Sequence, residues 1–118
     1  MCAAMSKSGL EDGLYRLLTT LTSLPPPRRQ VLVVPERKWT WDFAWKRLAI
    51  ECEGGIWARG KQGHSSGSGI QRDIHKSNAG ILAGWVCLRY SAKDLQERPV
   101  QVLEEITKAY KMHELNQP

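Results

Sequence analysis

Three carboxylates stand in a segment that otherwise reads as apolar strand. Asp42 lies in Trp39-Thr-Trp-Asp-Phe-Ala-Trp45, and Glu51 and Glu53 lie in Leu48-Ala-Ile-Glu-Cys-Glu53. Acids among tryptophans and aliphatics are costly unless they are paired, hydrogen-bonded or bound to a cation. Side chains alternate along a strand, which places Glu51 and Glu53 on one face, and a short hairpin brings Asp42 beside them. Two or three carboxylates and one backbone carbonyl, that of Cys52 pointing suitably, form a hard-oxygen site for Mg²⁺ (or Mn²⁺) that keeps several waters. Such an ion lowers the pKa of a bound water and offsets charge on a phosphodiester. The competing reading is a solvated sheet face carrying three unrelated acids.

Other residues could join that chemistry, and each has a plainer reading. Glu11 can lean from a first helix toward the acids, or can close a capping box with Ser8. Lys76 follows Asp73 by three residues, so one helix face presents both, either toward a scissile phosphate or as an exposed ion pair. His64 can reach a phosphate or act as general acid, or be a bystander in its loop. Arg59, Lys61 and Arg72 are candidate phosphate contacts on DNA. Gly54-Gly55 lacks the flanking pattern of a phosphate-binding loop and marks a bulge or a close backbone approach.

The elements that must position these groups follow from periodicity. Leu10, Leu14, Leu17, Leu18 and Leu21 give an apolar stripe from about 9 to 22 with Ser8 as its N-cap, and Pro25-Pro-Pro27 ends that helix. Gln30 to Val34 has strand composition, and Pro35 to Lys38 makes a turn. Strict alternation then puts Trp39, Trp41, Phe43 and Trp45 on one face and Thr40, Asp42 and Ala44 on the other. That aromatic stripe reads as core. Lys46-Arg47 is the hairpin tip, and Leu48 to Glu53 the returning strand. Residues 58–69 are rich in glycine and serine and read as a flexible loop. Ile70, Ile74, Ile81 and Leu82 mark a second helix ending near Gly84. Trp85 to Tyr90 is a further strand, Ser91 to Arg98 a connector with a helical turn, and Pro99 opens a last helix. The order α-β-β-β-α-β-α predicts a mixed α/β sheet with flanking helices in one domain spanning 1–118.

Bulk properties bound the possibilities. A chain of 118 residues with 42% hydrophobic content supports one core, and no segment approaches the ~20 apolar residues that span a membrane. A formal charge of +5 fits a polyanionic partner without requiring one. Cys2, Cys52 and Cys87 lack paired spacing, and His64, His75 and His113 stand apart, which argues against a zinc knuckle or a disulfide framework. Cys52 and Cys87 fall in strand patterns where an inert buried thiol is the expectation. With no secretory leader pattern, the expected setting is a cytoplasm.

The blocks Trp41-Asp-Phe-Ala-Trp45, Ala49-Ile-Glu-Cys-Glu-Gly-Gly-Ile-Trp57, Gly67-Ser-Gly-Ile-Gln-Arg-Asp-Ile-His-Lys-Ser-Asn78 and Gly84-Trp-Val-Cys-Leu-Arg89 together resemble small PD-(D/E)XK-type endonucleases. The similarity is greatest to compact phage and prophage members related to the very-short-patch-repair endonucleases, and extends over about 8–110. The resemblance implies a restriction-endonuclease-like αβββαβ core, cleavage of DNA with Mg²⁺ or Mn²⁺, and a bacterial or phage-infected cytoplasm. It makes Asp42 and Glu51 the metal-binding acids and Glu11 the helix acid. Two departures stand out. Thr40-Trp41 precedes Asp42 where the motif has proline, and Glu53 occupies the motif's lysine position, leaving Lys76 as a candidate source of that charge. The alternative reading is a non-catalytic nucleic-acid-binding or regulatory protein on the same scaffold. Either a monomer or a homodimer is compatible with the sequence.

Overall fold

A computed structural model of the chain describes residues 7–53 and 67–115. The order is α1 (Lys7–Leu21), β1 (Arg28–Val34), a 3₁₀ turn (Pro35–Arg37), β2 (Trp39–Trp45), β3 (Leu48–Glu53), α2 (Gly67–Leu82), β4 (Val86–Ser91), α3 (Ala92–Glu97) and α4 (Pro99–Leu115). The four strands form one sheet in the order β1-β2-β3-β4. The pairs β1/β2 and β2/β3 are antiparallel and β3/β4 is parallel. A parallel neighbour needs a crossover, and α2 lies on the one between β3 and β4. The protein is thus a single α/β domain built on a four-stranded mixed sheet flanked by helices. No helix among the described residues is long and apolar enough to cross a membrane.

The sheet has an apolar cluster on each face. On one, Leu10, Leu14 and Leu18 of α1 and Val102 and Ile106 of α4 bury against Phe43, Trp45, Leu48, Ile50 and Cys52. On the other, Val33, Trp41, Ala44, Ala49 and Trp85 come together. Leu10, Leu14 and Leu18 therefore do what the periodicity predicts, whereas Leu21, at the end of the helix, is 67% exposed. The N-cap expectation for Ser8 is not met, because Ser8 is itself helical, inside α1 (Lys7–Leu21).

The expectation of one aromatic face on β2 is overturned. Phe43 and Trp45 belong to the α1/α4 side, while Trp41 and Trp39 pack with the opposite cluster. The reason lies in two residues that face each other across the ladder. Arg29 pairs with Phe43 and Val31 with Trp41, which sets Gln30 opposite Asp42. Gln30 has a left-handed φ of 51°, which an extended strand does not use. The alternation shifts phase there in both strands at once. Arg29 lies over the Phe43 ring on the α1 side, whereas Val31 packs with Trp41 on the other.

Helix α2 is inverted relative to a helix covering a sheet. Ile70, Ile74 and Ile81, the residues that announce it in the sequence, are about half exposed or more. The sheet side instead carries Gly69, Asp73, Lys76 and Gly80, spaced at three and four residues, all buried or half-buried. Gly67 to Gly69, expected in the loop, belong to this helix. Its end is a Schellman turn: Gly84 adopts φ 90°, its N–H donates to the Ile81 carbonyl at 3.0 Å, and the Trp85 N–H donates to the Gly80 carbonyl at 2.8 Å. The Lys46-Arg47 tip and the strand Leu48–Glu53 fall where the sequence places them. The connector after Ser91 is α3, closed by a capping box between Ser91 and Asp94.

Candidate active site

The acids gather where β2 and β3 part. The β2/β3 ladder runs from Trp45↔Leu48 to Phe43↔Ile50, and one further step sets Asp42 opposite Glu51. There side chains take over from backbone pairing. The Asp42 N–H donates to Glu51 Oε1 at 3.1 Å, and the Cys52 N–H donates to Asp42 Oδ2 at 2.7 Å. Asp42 is 4% exposed and Glu51 9%, so both carboxylates are largely desolvated and depend on such donors.

Each helix layer contributes a group. From α1, Glu11 is 9% exposed, and its Oε1 accepts from Gln30 Nε2 at 3.1 Å. The same amide lies 3.5 Å from Asp42 Oδ1, and Gln30 Oε1 accepts from the Thr40 hydroxyl at 3.1 Å. Gln30 thus links Glu11 to Asp42, and its unusual backbone is what turns it to do so. Arg29 adds charge nearby, 3.9 Å from Glu11 and 3.0 Å from Asp12. From α2, Lys76 Nζ donates to Glu51 Oε2 at 2.6 Å and to the Thr40 carbonyl. It also stands 4.8 Å from the centre of the Trp41 ring, a cation–π contact.

Glu53 lies two residues further along β3 and has a separate partner. Its carboxylate pairs with Arg89 of β4, and Arg89 also donates to Ser77 of α2 at 2.6 Å. Burial works against the Arg89 charge, while Glu53 beside it raises the guanidinium's pKa overall. The Cys52 side chain is buried in the α1/α4 cluster, on the face away from Glu51. Cys87 is half-buried, and its thiol is pushed up to about 12 by burial, so it stays protonated and inert near neutrality.

The predicted residues therefore divide. Glu11, Asp42, Glu51 and Lys76 converge; Glu53 stands beside them in a pair with Arg89; Arg72 is exposed on α2. Arg59, Lys61 and His64 lie outside the described residues, as does Gly54-Gly55. Sequence reasoning missed Gln30, Arg29, Trp41 and Arg89 as parts of the site. No local signal marks Gln30 or Arg29, which read as the ordinary start of a strand. Arg89 carries a weak signal, a charge inside the apolar run Trp85-Val-Cys-Leu-Arg-Tyr90.

Among the described residues, no group of three or more His, Cys, Asp and Glu side chains is close enough to hold a hard divalent ion. Mg²⁺ is commonly held by one or two carboxylates with waters completing the shell. Asp42 and Glu51, buried and opposite one another, match that smaller set, and Glu11 stays at one remove behind Gln30. Compared with known proteins, the chain matches no family model, no curated protein and no solved structure.

Proposed function

We propose that this chain is a metal-dependent DNA endonuclease on a restriction-endonuclease-like αβββαβ core, hydrolysing phosphodiester bonds by nicking, structure-selective or single-strand cleavage. One observation carries the reading. Two buried carboxylates from facing strands, Asp42 and Glu51, meet where the ladder opens, with the ammonium of Lys76 held against them from α2. A core does not need this arrangement, and hydrophobic residues of the same volume would be cheaper there.

In this reading Asp42 and Glu51 hold Mg²⁺ or Mn²⁺, with the Cys52 carbonyl as a further candidate ligand. The ion would supply a bound water that gives up its proton more readily, so that the hydroxide can attack phosphorus, and charge to offset the transition state. The Cys52 N–H and Gln30 amide fix the Asp42 carboxylate, and the Asp42 N–H fixes that of Glu51. Such second contacts orient ligands and are felt in activity when lost. Lys76 provides the positive charge that Glu53, in the motif's lysine position, cannot, and its helix faces the acids directly. Arg29 and Arg72, with Arg59, Lys61 and His64, are the candidates for gripping the DNA backbone.

The test is cleavage of duplex, branched and single-stranded DNA with Mg²⁺ or Mn²⁺, run beside Asp42→Ala. Metal-dependent products that vanish in the variant support the proposal. Cleavage unchanged in Asp42→Ala removes the site assignment.

A second reading is favoured by the pairing itself. Glu53 is matched by Arg89 and Glu51 by Lys76, so these two acids are compensated by the protein's own cations. A non-catalytic nucleic-acid-binding protein on the same scaffold fits that pairing. It predicts salt-dependent DNA binding with no metal-dependent turnover.

A further inference from the structure

We infer that Lys76 is the resident counter-cation of the acidic site, and that a divalent ion occupies Asp42 and Glu51 only by exchange with it. This rests on the reading of Asp42 and Glu51 as metal-binding acids. Three features of different origin converge on the ammonium: the Glu51 carboxylate at 2.6 Å, the Thr40 carbonyl, and the face of the Trp41 ring at 4.8 Å. A full charge, a peptide dipole and a ring quadrupole are what a bound cation collects. The side chains of Lys76 and Glu51 are only 13% and 12% exposed, so water screens their attraction weakly.

The ammonium's place on Glu51 sets the two cations in competition. Glu51 Oε2 accepts from the ammonium, and Oε1 from the Asp42 N–H. Each carboxylate oxygen keeps further acceptor capacity, so a dication at Glu51 is opposed by the charge of the ammonium 2.6 Å from Oε2 rather than by want of a lone pair. The side-chain ammonium, unlike the backbone N–H, can swing away. The helix that bears it need not move. A lysine stem has four rotatable carbons, and α2 is fixed against the ring by Gly80, one turn on, where an added Cβ would stand 2.7 Å from Trp41. Once displaced, the ammonium remains beside the acids, where an incoming phosphodiester oxygen would replace its lost carboxylate. A phosphodiester that holds Lys76 off Glu51 therefore favours the metal, and by reciprocity the metal favours the phosphodiester. The site stays closed to dications until substrate arrives or the ion is abundant.

The experiment is Mg²⁺ titration by calorimetry on the whole chain without DNA, comparing wild type, Lys76→Met and Lys76→Arg. Removing the competing charge is expected to tighten Mg²⁺ binding by about tenfold or more, the size of a typical coupling between sites. Lys76→Arg, which keeps a cation, is expected to stay within about threefold of wild type on the same scale. Lys76→Met leaves Glu51 without its cation and can fail to fold, so a second readout uses the native lysine. Mg²⁺ saturation should change tryptophan emission as the ammonium leaves the Trp41 ring, and that change should be absent in Trp41→Phe. Equal or weaker Mg²⁺ binding in Lys76→Met, or Mg²⁺ binding with no Trp41-dependent emission change, overturns the exchange. Asp42-dependent cleavage persisting beside such a result would leave the endonuclease reading standing. Absence of both Mg²⁺ binding in every variant and cleavage would remove the two together.

Discussion

A Cβ placed on Gly80 would stand 2.7 Å from Cζ2 of Trp41, so α2 rests its backbone directly on that indole. The contact sets how deep the helix lies, and with it the reach of Lys76 one turn earlier. In an open helix interior, glycine to alanine stabilises by about 0.5–1 kcal/mol. Here the sign should reverse. Gly80→Ala is expected to cost about 1–3 kcal/mol through overpacking, read as a lower denaturation midpoint with unchanged slope. On the endonuclease reading proposed above, DNA cleavage should fall further than that loss of folded protein explains, because Lys76 is lifted from Glu51.

Gln30 combines a strained backbone with a bridging side chain, and two substitutions separate these roles. Gln30→Gly and Gln30→Ala both remove the link between Glu11 and Asp42, but only alanine retains a Cβ at φ 51°. The glycine variant should be more stable than the alanine variant by about 1–2 kcal/mol, the cost of the left-handed region. On the endonuclease reading, both should lose DNA cleavage to a similar degree. Equal stabilities in chemical denaturation would show that the backbone there is unstrained.

Arg89 ties β3, β4 and α2 together through Glu53 and Ser77. The two charged side chains are 32% and 20% exposed, between a surface pair and a buried one. Arg89→Met and Glu53→Gln should each destabilise, and the double variant should cost less than the sum, with a coupling of about 0.5–3 kcal/mol. A strictly additive double-mutant cycle would mean that the pair contributes nothing beyond its packing.

The turn into α3 should leave a signature in acid. The Ser91 backbone N–H donates to Asp94 at 2.9 Å, and this bond, aided by Arg98, holds the Asp94 pKa below its ordinary value of 3.8. A carboxylate depressed by folding stabilises the protein above its unfolded pKa and loses that contribution as pH falls through the folded value. Asp94→Asn should therefore lower stability at pH values above 3.8, with the gap to wild type closing as acid protonates Asp94. A pH-independent gap in thermal melts would assign the effect to capping geometry alone. The neighbouring Glu105, lowered chiefly by its bond from Arg98 and next by that from Tyr90, loses its contribution in the same direction.

Local chemistry alone determined much of this protein. The leucine stripe of α1, the turn at Lys46-Arg47, the strand Leu48–Glu53 and the break at Gly84 were all legible, because each depends on neighbours within a turn or a strand pair. The grouping of Asp42 with Glu51 was legible too, since a short hairpin fixes its own register. Three features came only with the tertiary structure. Trp41 and Phe43 part to opposite faces because Gln30, on another strand, adopts a left-handed backbone opposite Asp42. Helix α2 turns its isoleucines outward because its sheet side must carry Lys76 and the bare backbone of Gly80. Glu53 finds its cation 36 residues away on the parallel strand. Periodicity reports which residues share a face; only packing between distant segments decides what that face meets, and here that is where the acids found their partners.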